Sequence, residues 1–415
     1  MFDAVVVGSG AAGIATVGNI LECHESASIL WIDPEFNGGR ITKKYLDQCP
    51  GVCIRQTLTT AVLMCSNTKV AVFLQFAHAL EPFREIVRST PKPNAVHHLE
   101  CLDTNSGCDL QYASDMLLML TDGLKQLPNI QPLVGTVIEA TYDSQSEVWS
   151  IQAQDDESSS IIHDIYTRKL VLCTGSSPSV CDVGPAGQVL KQIDLDVALD
   201  RPTLREKLWS ENGATVAVVG SSHSAIVVIM HLFELATTTH PRLRIKWFTR
   251  KPLRYATQME GWILLDNTGL KGKSAEFARS HLEDDKIKLS PVGQYLEKFD
   301  CSVKENEVYQ AQLPQCTHVV QAIGFTRDPV PPLRMGLLPL DKLAYDNRTG
   351  LFHDSKGQLI PGLCGAGIAF PERVVDPAGN AEYAVGFWKF MRYLRRVVPE
   401  HWGISKQGEM VRVPN

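Results

Sequence analysis

Residues 2–13, FDAVVVGSGAAG, set a run of β-branched residues directly against a glycine turn that opens an alanine-rich helix. In Gly8-Ser9-Gly10-Ala11-Ala12-Gly13 the first glycine permits a tight turn and the second lets backbone approach a phosphate. The third allows helix and strand to pack closely. A pyrophosphate placed there would sit on the amino end of the helix, where unpaired N–H groups and the helix dipole favour an anion. The strand-like ILWID at 29–33 ends on Asp33, an acid at the right distance to accept ribose hydroxyls. Strand, turn, helix, strand and acid in that order predict a Rossmann-type dinucleotide unit at the amino end of the chain.

A second strand and turn, TVAVVGSSHSA, recurs at 215–225. Gly220 keeps the first glycine, while Ser222 replaces the second and Ala225 the third. Ser222 adds a side chain where backbone should meet pyrophosphate, although its hydroxyl could itself donate to phosphate. The next strand ends in KWFTRKPLR, with Arg250 near the place an acid would occupy for NAD, and with Lys251 and Arg254 close by. That cluster suits a 2'-phosphate and so favours NADPH over NADH. The alternative is a degenerate site with its cations on a solvated loop. Two dinucleotide units, one followed by a carboxylate and the other by cations, point to a flavin and a nicotinamide facing each other.

At 415 residues and 44% apolar content the chain can fill two cores. A net charge of -6 with no long basic block argues against nucleic acid or an anionic membrane surface as a partner, and for a small-molecule substrate. Because the glycine turn begins at Gly8, residues 2–7 are read as a structural strand rather than a leader, and a cytoplasmic protein is expected. The most apolar stretch, AIVVIMHLF at 225–233, falls far short of the ~20 residues that cross a bilayer. It reads as the buried helix of the second unit.

Eleven cysteines are scattered without a framework spacing, so most are expected to be free thiols. Cys49 and Cys53 flank Pro50-Gly51-Val52 and are favoured as two thiols beside a turn over a redox disulfide; Cys101 and Cys108 are weaker candidates still. His97-His98 and the other histidines show no metal spacing, and no metal is expected.

Between the units, 35–110 is irregular and reads as an elaboration carrying the substrate side of the site. A helix is expected over 112–126, where Met116, Leu117, Leu120 and Leu124 form a stripe, followed by an antiparallel meander at 135–143, 148–154 and 161–167. Turn-rich 182–202 is the domain crossover, with the return near 325, and a last helix is expected from about 378 to 397 with Trp388, Met391 and Leu394 along one side. The fold class is therefore α/β with two Rossmann-like dinucleotide-binding domains. Residues 1–198 and 325–415 form the first, and 199–324 the second, inserted into it.

The order of GSGAAG, Asp33, LCTGSSPS, GSSHSA, QAIGF and GLCGAGIA resembles the flavoproteins with two dinucleotide-binding domains, the superfamily of glutathione-reductase-like enzymes and flavin monooxygenases. The resemblance covers nearly the whole chain. Cys173-Thr174-Gly175 is similar to the segment that joins the domains, and Ala322-Ile323-Gly324 to the second crossover. This likeness implies FAD on Gly8, Gly10, Ala12, Gly13 and Asp33, with Gly38, Gly39 and Arg40 beside its pyrophosphate, Val137 at adenine, and Thr174 and Gly175 at the junction. It implies NADPH on Gly220, Ser222, Ser224 and Arg250. Gly367 and Ile368 fall on the ribityl motif, where isoleucine stands in place of the family's aspartate; backbone groups, Glu372 or Asp376 are the substitutes.

RITKKY after the double glycine lacks the redox cysteines of glutathione-reductase-like members, and no C-x-x-C lies in the second unit. The F-x-G-x-x-x-H sequence usual in flavin monooxygenases is missing too, since no histidine occurs from 164 to 222, although Ser224 matches their second turn. An FAD-dependent, NADPH-using monooxygenase acting on a small organic substrate is the first reading. A reductase or dehydrogenase of an organic acceptor stays open, as does a protein using FAD structurally or for non-redox catalysis. Arg55 and Gln56 are the candidates for the flavin face. Residues 259–272, MEGWILLDNTGLKG, either line the nicotinamide or substrate cleft through Trp262, Asp266, Asn267 and Lys271 or form a capped loop.

Overall fold

The computed structural model describes residues 1–40, 65–155, 162–185, 189–209 and 213–404. Cys49, Cys53, Arg55 and Gln56 lie outside the described residues.

The chain begins with β1 (Ala4–Val7), α1 (Ala11–Cys23) and β2 (Ile29–Asp33), and the two strands pair in parallel from Ala4↔Ile29 to Val7↔Ile32. Both faces of this pair are covered, which is why its residues form continuous apolar runs rather than an alternation. The helix α1 is rich in small residues because it is sandwiched: a Cβ on Gly18 would stand 2.5 Å from the Phe83 ring. Three helices, Val70–Ala77, Glu81–Ser89 and Ala95–Glu100, put buried Phe73, Phe76, Phe83, Val96 and Leu99 into the core that includes α1. Helix α2 (Leu110–Lys125) follows, capped by Asp109 accepting from the Gln111 N–H at 2.9 Å, and it buries the expected stripe.

Strand β3 (Ile130–Asp143) runs parallel to β2 over its first half, and its second half carries the antiparallel meander with β4 (Val148–Asp155) and β5 (Ile162–Thr167) in the same extended sheet. The other flank of β1 takes β6 (Leu170–Leu172).

A second sheet has the order β7 (Lys191–Gln192), β11 (His318–Gln321), β8 (Thr215–Val219), β9 (Arg244–Thr249), β10 (Leu296–Asp300), all parallel. Helix α3 (His223–Thr238) follows β8, and α4 (Glu305–Gln312) connects β10 to β11. This sheet has its own core, with Ile226, Ile229, Leu232 and Trp247 fully buried.

Later residues return to the first sheet on both sides. Leu333–Met335 pairs in parallel with β3, and β12 (Leu359–Gly365) pairs in parallel with β6. One Rossmann-like domain is thus inserted within the other, as the fold class requires. A hairpin, β13 (Glu372–Val375) and β14 (Ala381–Ala384), then leads to α5 (Phe387–Glu400).

The expected helix from 378 is corrected here: it starts only at Phe387. Residues 381–385 alternate with period two, Glu382 and Ala384 buried and Ala381, Tyr383 and Val385 exposed, and positive-φ glycines at 379 and 386 bound them. The buried stripe of α5 holds Met391 and Leu394 as expected, but Trp388 is only half-buried and Phe387, Phe390 and Val397 take its place.

Candidate cofactor site

Four backbone segments converge on the first turn of α1. Gly8 adopts φ +107°, and a Cβ there would stand 2.3 Å from the Cys173 carbonyl oxygen. On Gly13 it would meet the Gly8 carbonyl oxygen at 1.9 Å, on Gly39 the Gly10 Cα at 2.6 Å, and on Gly367 the Ala12 Cβ at 2.6 Å. Glycine at these places therefore brings 8–13, 38–39, 173–175 and 365–368 to one point. The amino end of α1 has no side-chain cap and no acid in its first turn, so its N–H groups remain for an anion.

Beside this cradle the hydroxyls of Ser9, Thr174 and Ser176 are buried without a hydrogen-bond partner among the described residues. Buried hydroxyls are normally satisfied, and three orphans around one turn match the polar groups of a bound nucleotide. Asp33 closes the site from β2. Its Oδ2 accepts from the Ser9 N–H at 2.7 Å, and its Oδ1 from the N–H groups of Glu35 at 2.9 Å and Phe36 at 2.7 Å. A carboxylate offers about four acceptor positions, so one stays open for a ribose hydroxyl.

The remaining residues expected on this side are dispersed in their contacts. Arg40 is paired with Asp196, donates to the Ser176 carbonyl oxygen at 3.2 Å and lies 5.3 Å over the Phe325 ring. Val137 is buried on β3 opposite Ala153. Ile368 is partly exposed next to Gly367. Glu372 is held by Arg396 at 2.7 Å, and Asp376 closes the hairpin turn by accepting from Asn380. Both carboxylates thus have local partners of their own.

The second turn repeats the plan with a looser helix. Gly220 has φ +129°, and a Cβ there would lie 2.3 Å from the Ala322 carbonyl oxygen, while the Ala225 Cβ is accommodated at 3.6 Å from that point. Ser222 caps α3 with no side-chain bond and is exposed, leaving its hydroxyl to solvent or a ligand. Ser224 is half-buried one residue past His223. Burial, with the charge of Lys271 nearby, pushes the His223 imidazole below its ordinary value and keeps it neutral at pH 7.

Arg250 stands at the end of β9 with its side chain 54% exposed, and its Nε–H donates to Glu305 Oε1 at 2.6 Å. Tyr309 donates to the same oxygen at 2.8 Å. The Arg250 guanidinium carries two NH2 groups besides this Nε–H, and Tyr309 interacts with it as well. A cleft of about 700 Å³ runs along the edge strand β10, from Gly293 and Leu296 to Asp300 and Ser302, and reaches Thr249, Arg250 and Lys251 at the carboxyl end of β9. Its Arg250 end lies outside the carboxyl ends of the strands, where ligands of open α/β sheets bind.

Sequence reasoning passed over several residues that shape the two turns: Ser9, Ser176, Glu305, Tyr309, and the paired Trp31 and Trp247. A tryptophan near the end of the second strand in both units, ILWID and RIKWFT, was the available signal. Cys101 is an exposed free thiol and Cys108 is buried.

Comparison with known proteins now bears on the chemistry. A family model described as L-lysine 6-monooxygenase/L-ornithine 5-monooxygenase matches residues 126–260. Monooxygenase AgnR1 of Paecilomyces divaricatus is 46% identical over 397 residues, spanning 95% of this chain and 97% of that one. The chain belongs to the flavoprotein monooxygenases. Among solved structures, L-lysine 6-monooxygenase from Pseudomonas syringae superposes on this monooxygenase with a TM-score of 0.55 at 14% identity, over 96% of this chain and 98% of that one. S-allyl-L-cysteine S-oxygenase from Allium sativum gives 0.53 at 12% identity, over 95% and 75%. These two share the fold. Of the three readings that the motifs leave open, membership selects the flavin-dependent monooxygenase acting on a small organic substrate. No helix of the described residues is long and apolar enough to cross a membrane.

Proposed function

We propose that this monooxygenase binds FAD on the first turn and NADPH on the second, and hydroxylates or otherwise oxygenates a small organic molecule between them. The observation that carries the reading is the glycine-only convergence on α1 together with the three orphan hydroxyls of Ser9, Thr174 and Ser176. The chemistry such a cofactor pair supplies is hydride transfer from nicotinamide to flavin and activation of molecular oxygen.

The chain's own part is binding and orientation. Gly8, Gly10, Ala12 and Gly13 present the amino end of α1 to the FAD pyrophosphate, with Gly39 and Gly367 completing the cradle. Asp33 takes a ribose hydroxyl with its open acceptor position. Thr174, Gly175 and Ile368 lie along the same side, and Val137 contributes an apolar wall for adenine. Arg40 acts at one remove, tying the 38–40 loop to Asp196. On the second turn, Gly220, Ser222 and Ser224 receive the NADPH pyrophosphate, and the NH2 groups of Arg250 receive the 2'-phosphate at the carboxyl end of β9. We draw the inserted domain from about residue 190 to 324, since Lys191–Gln192 belongs to its sheet. A cytoplasmic location is part of this reading, with residues 4–7 forming the first strand of the FAD fold.

The visible spectrum of purified protein tests this directly. A flavin spectrum that bleaches on anaerobic NADPH and recovers with oxygen is the expected result. Folded protein that stays colourless after reconstitution with FAD overturns the reading.

A further inference from the structure

The excursion at 259–272 is held by the third segment of the chain. Glu382, buried on β14, accepts from the Asn267 backbone N–H at 3.0 Å, from its Nδ2–H at 3.1 Å, and from the Thr268 hydroxyl. Lys389, in the first turn of α5, donates to Asp266 Oδ2 at 2.6 Å and to Asn267 Oδ1 at 2.6 Å. Lys271 closes on the other Asp266 oxygen and on the Asp266 carbonyl at 2.6 Å. Two acids and two lysines thus converge on residues 266–268. Burial works to raise the Asp266 carboxyl, but hydrogen bonds and charge from Lys271 and Lys389 outweigh it and hold the group below its ordinary range.

Each end of this network touches a nucleotide helix. On one side Ser274 Oγ lies 3.4 Å from Nε2 of His223, the first residue of α3, and Lys271 is close enough to depress that imidazole. On the other, α5 packs along α1, where Asn19 donates to Met391 Sδ at 3.3 Å. A line of contacts runs from α1 through α5 and Lys389 to Asp266 and Lys271, and the helix Gly272–His281 that follows Lys271 carries it on to α3 through Ser274. Given FAD on the first turn and NADPH on the second, we infer that Glu382 and Lys389 are positioning residues for hydride transfer, fixing residues 266–271 and the second nucleotide turn against the helix that backs the first.

Reaction between two separately bound cofactors is sensitive to their spacing, and a displacement of about 1 Å costs on the order of 10²-fold in rate. Anaerobic stopped-flow reduction by NADPH is compared for wild type, Glu382→Ala, Glu382→Gln and Lys389→Met, together with flavin content, NADP⁺ affinity, flavin reduction by dithionite and hydrogen exchange at 259–272. Expected is a fall of ~10 to 10²-fold in NADPH-driven reduction for Glu382→Ala and Lys389→Met, faster exchange at 259–272, and partial recovery in Glu382→Gln. Flavin content, NADP⁺ affinity and the dithionite rate should hold. An unchanged NADPH rate, unchanged exchange, or a fall that comes with lost flavin or weakened NADP⁺ binding overturns the assignment. If Glu382→Ala does not fold, Glu382→Gln and Lys389→Met decide it. Should wild-type flavin not be reduced by NADPH, the cofactor reading fails, and the exchange measurement still judges the clamp separately.

Discussion

The indole N–H of Trp247 donates to the Gly220 carbonyl oxygen at 2.7 Å. Trp31 does the same to Gly8 at 2.9 Å, so both turns are pinned from behind by a tryptophan of the neighbouring strand. In a trans peptide the N–H points opposite to the carbonyl. At the first turn that N–H, of Ser9, meets Asp33. At the second, β9 places Thr249 and then Arg250 at the corresponding strand end, so no carboxylate takes the equivalent role. The two units share a scaffold while their ligand-facing chemistry diverges.

Replacing Trp247 by Phe removes this donor and leaves a carbonyl unsatisfied. A loss of about 1–3 kcal/mol in stability is expected, read by urea denaturation. NADP⁺ affinity should weaken while flavin content stays at the wild-type level. Lost flavin with intact NADP⁺ binding would contradict the separation of the two sites.

Gly13→Ala places a methyl 1.9 Å from the Gly8 carbonyl oxygen, too close for any neighbouring side chain to relieve. The helix must move away from β1, and with it the N–H groups that face pyrophosphate. FAD affinity should weaken at least about tenfold, equivalent to roughly 1.4 kcal/mol of binding, read by titrating the apoprotein with FAD. The corresponding position in the second unit is already alanine, so Ala225→Gly should leave flavin content unchanged.

Arg250→Ala tests the 2'-phosphate assignment. Glu305 holds one edge of the guanidinium and, with burial opposing it, keeps Arg250 even more firmly charged than usual. Loss of its charge-assisted bonds is expected to raise KM for NADPH by about tenfold, or ~1.4 kcal/mol, with KM for NADH nearly unchanged. Equal effects on both coenzymes would place the phosphate elsewhere.

Cysteine reactivity provides a pH test. Burial pushes the Cys173 and Cys364 thiols up to about 12, while Cys101 is exposed. Because the thiolate is the nucleophile, iodoacetamide at pH 8 should label Cys101 in native protein and leave Cys173 and Cys364 untouched. The same shifts make alkali destabilising: both groups favour the folded state below about pH 9, and that contribution fades as pH climbs from 9 towards 12. Peptide mapping and denaturation against pH read the two effects.

Much of the fold was legible because its signals are short-range. A β-branched run, a glycine turn and an apolar helix lie within a dozen residues at each nucleotide unit, and the meander and α2 announce themselves by period. The β13–β14 hairpin was misread as helix because its alternating pattern spans only a few residues beside a strongly helical segment. Side-chain roles were harder. Glu372 and Asp376 were plausible near the flavin motif by proximity in the chain, yet they pair with Arg396 and Asn380.

The sequence by itself determined that this chain carries two dinucleotide units of unequal quality, one intact and one with Ser222 in place of glycine. It did so because turn geometry and helix dipole depend on adjacent residues. Only the tertiary structure decided what surrounds them. Asp33 and Ser9 are 24 positions apart, Arg40 and Asp196 are 156, Asn267 and Glu382 are 115, and Asn267 and Lys389 are 122. Pairings at such separations arise from the stacking of strands and the return of the chain after 325, which no local pattern encodes.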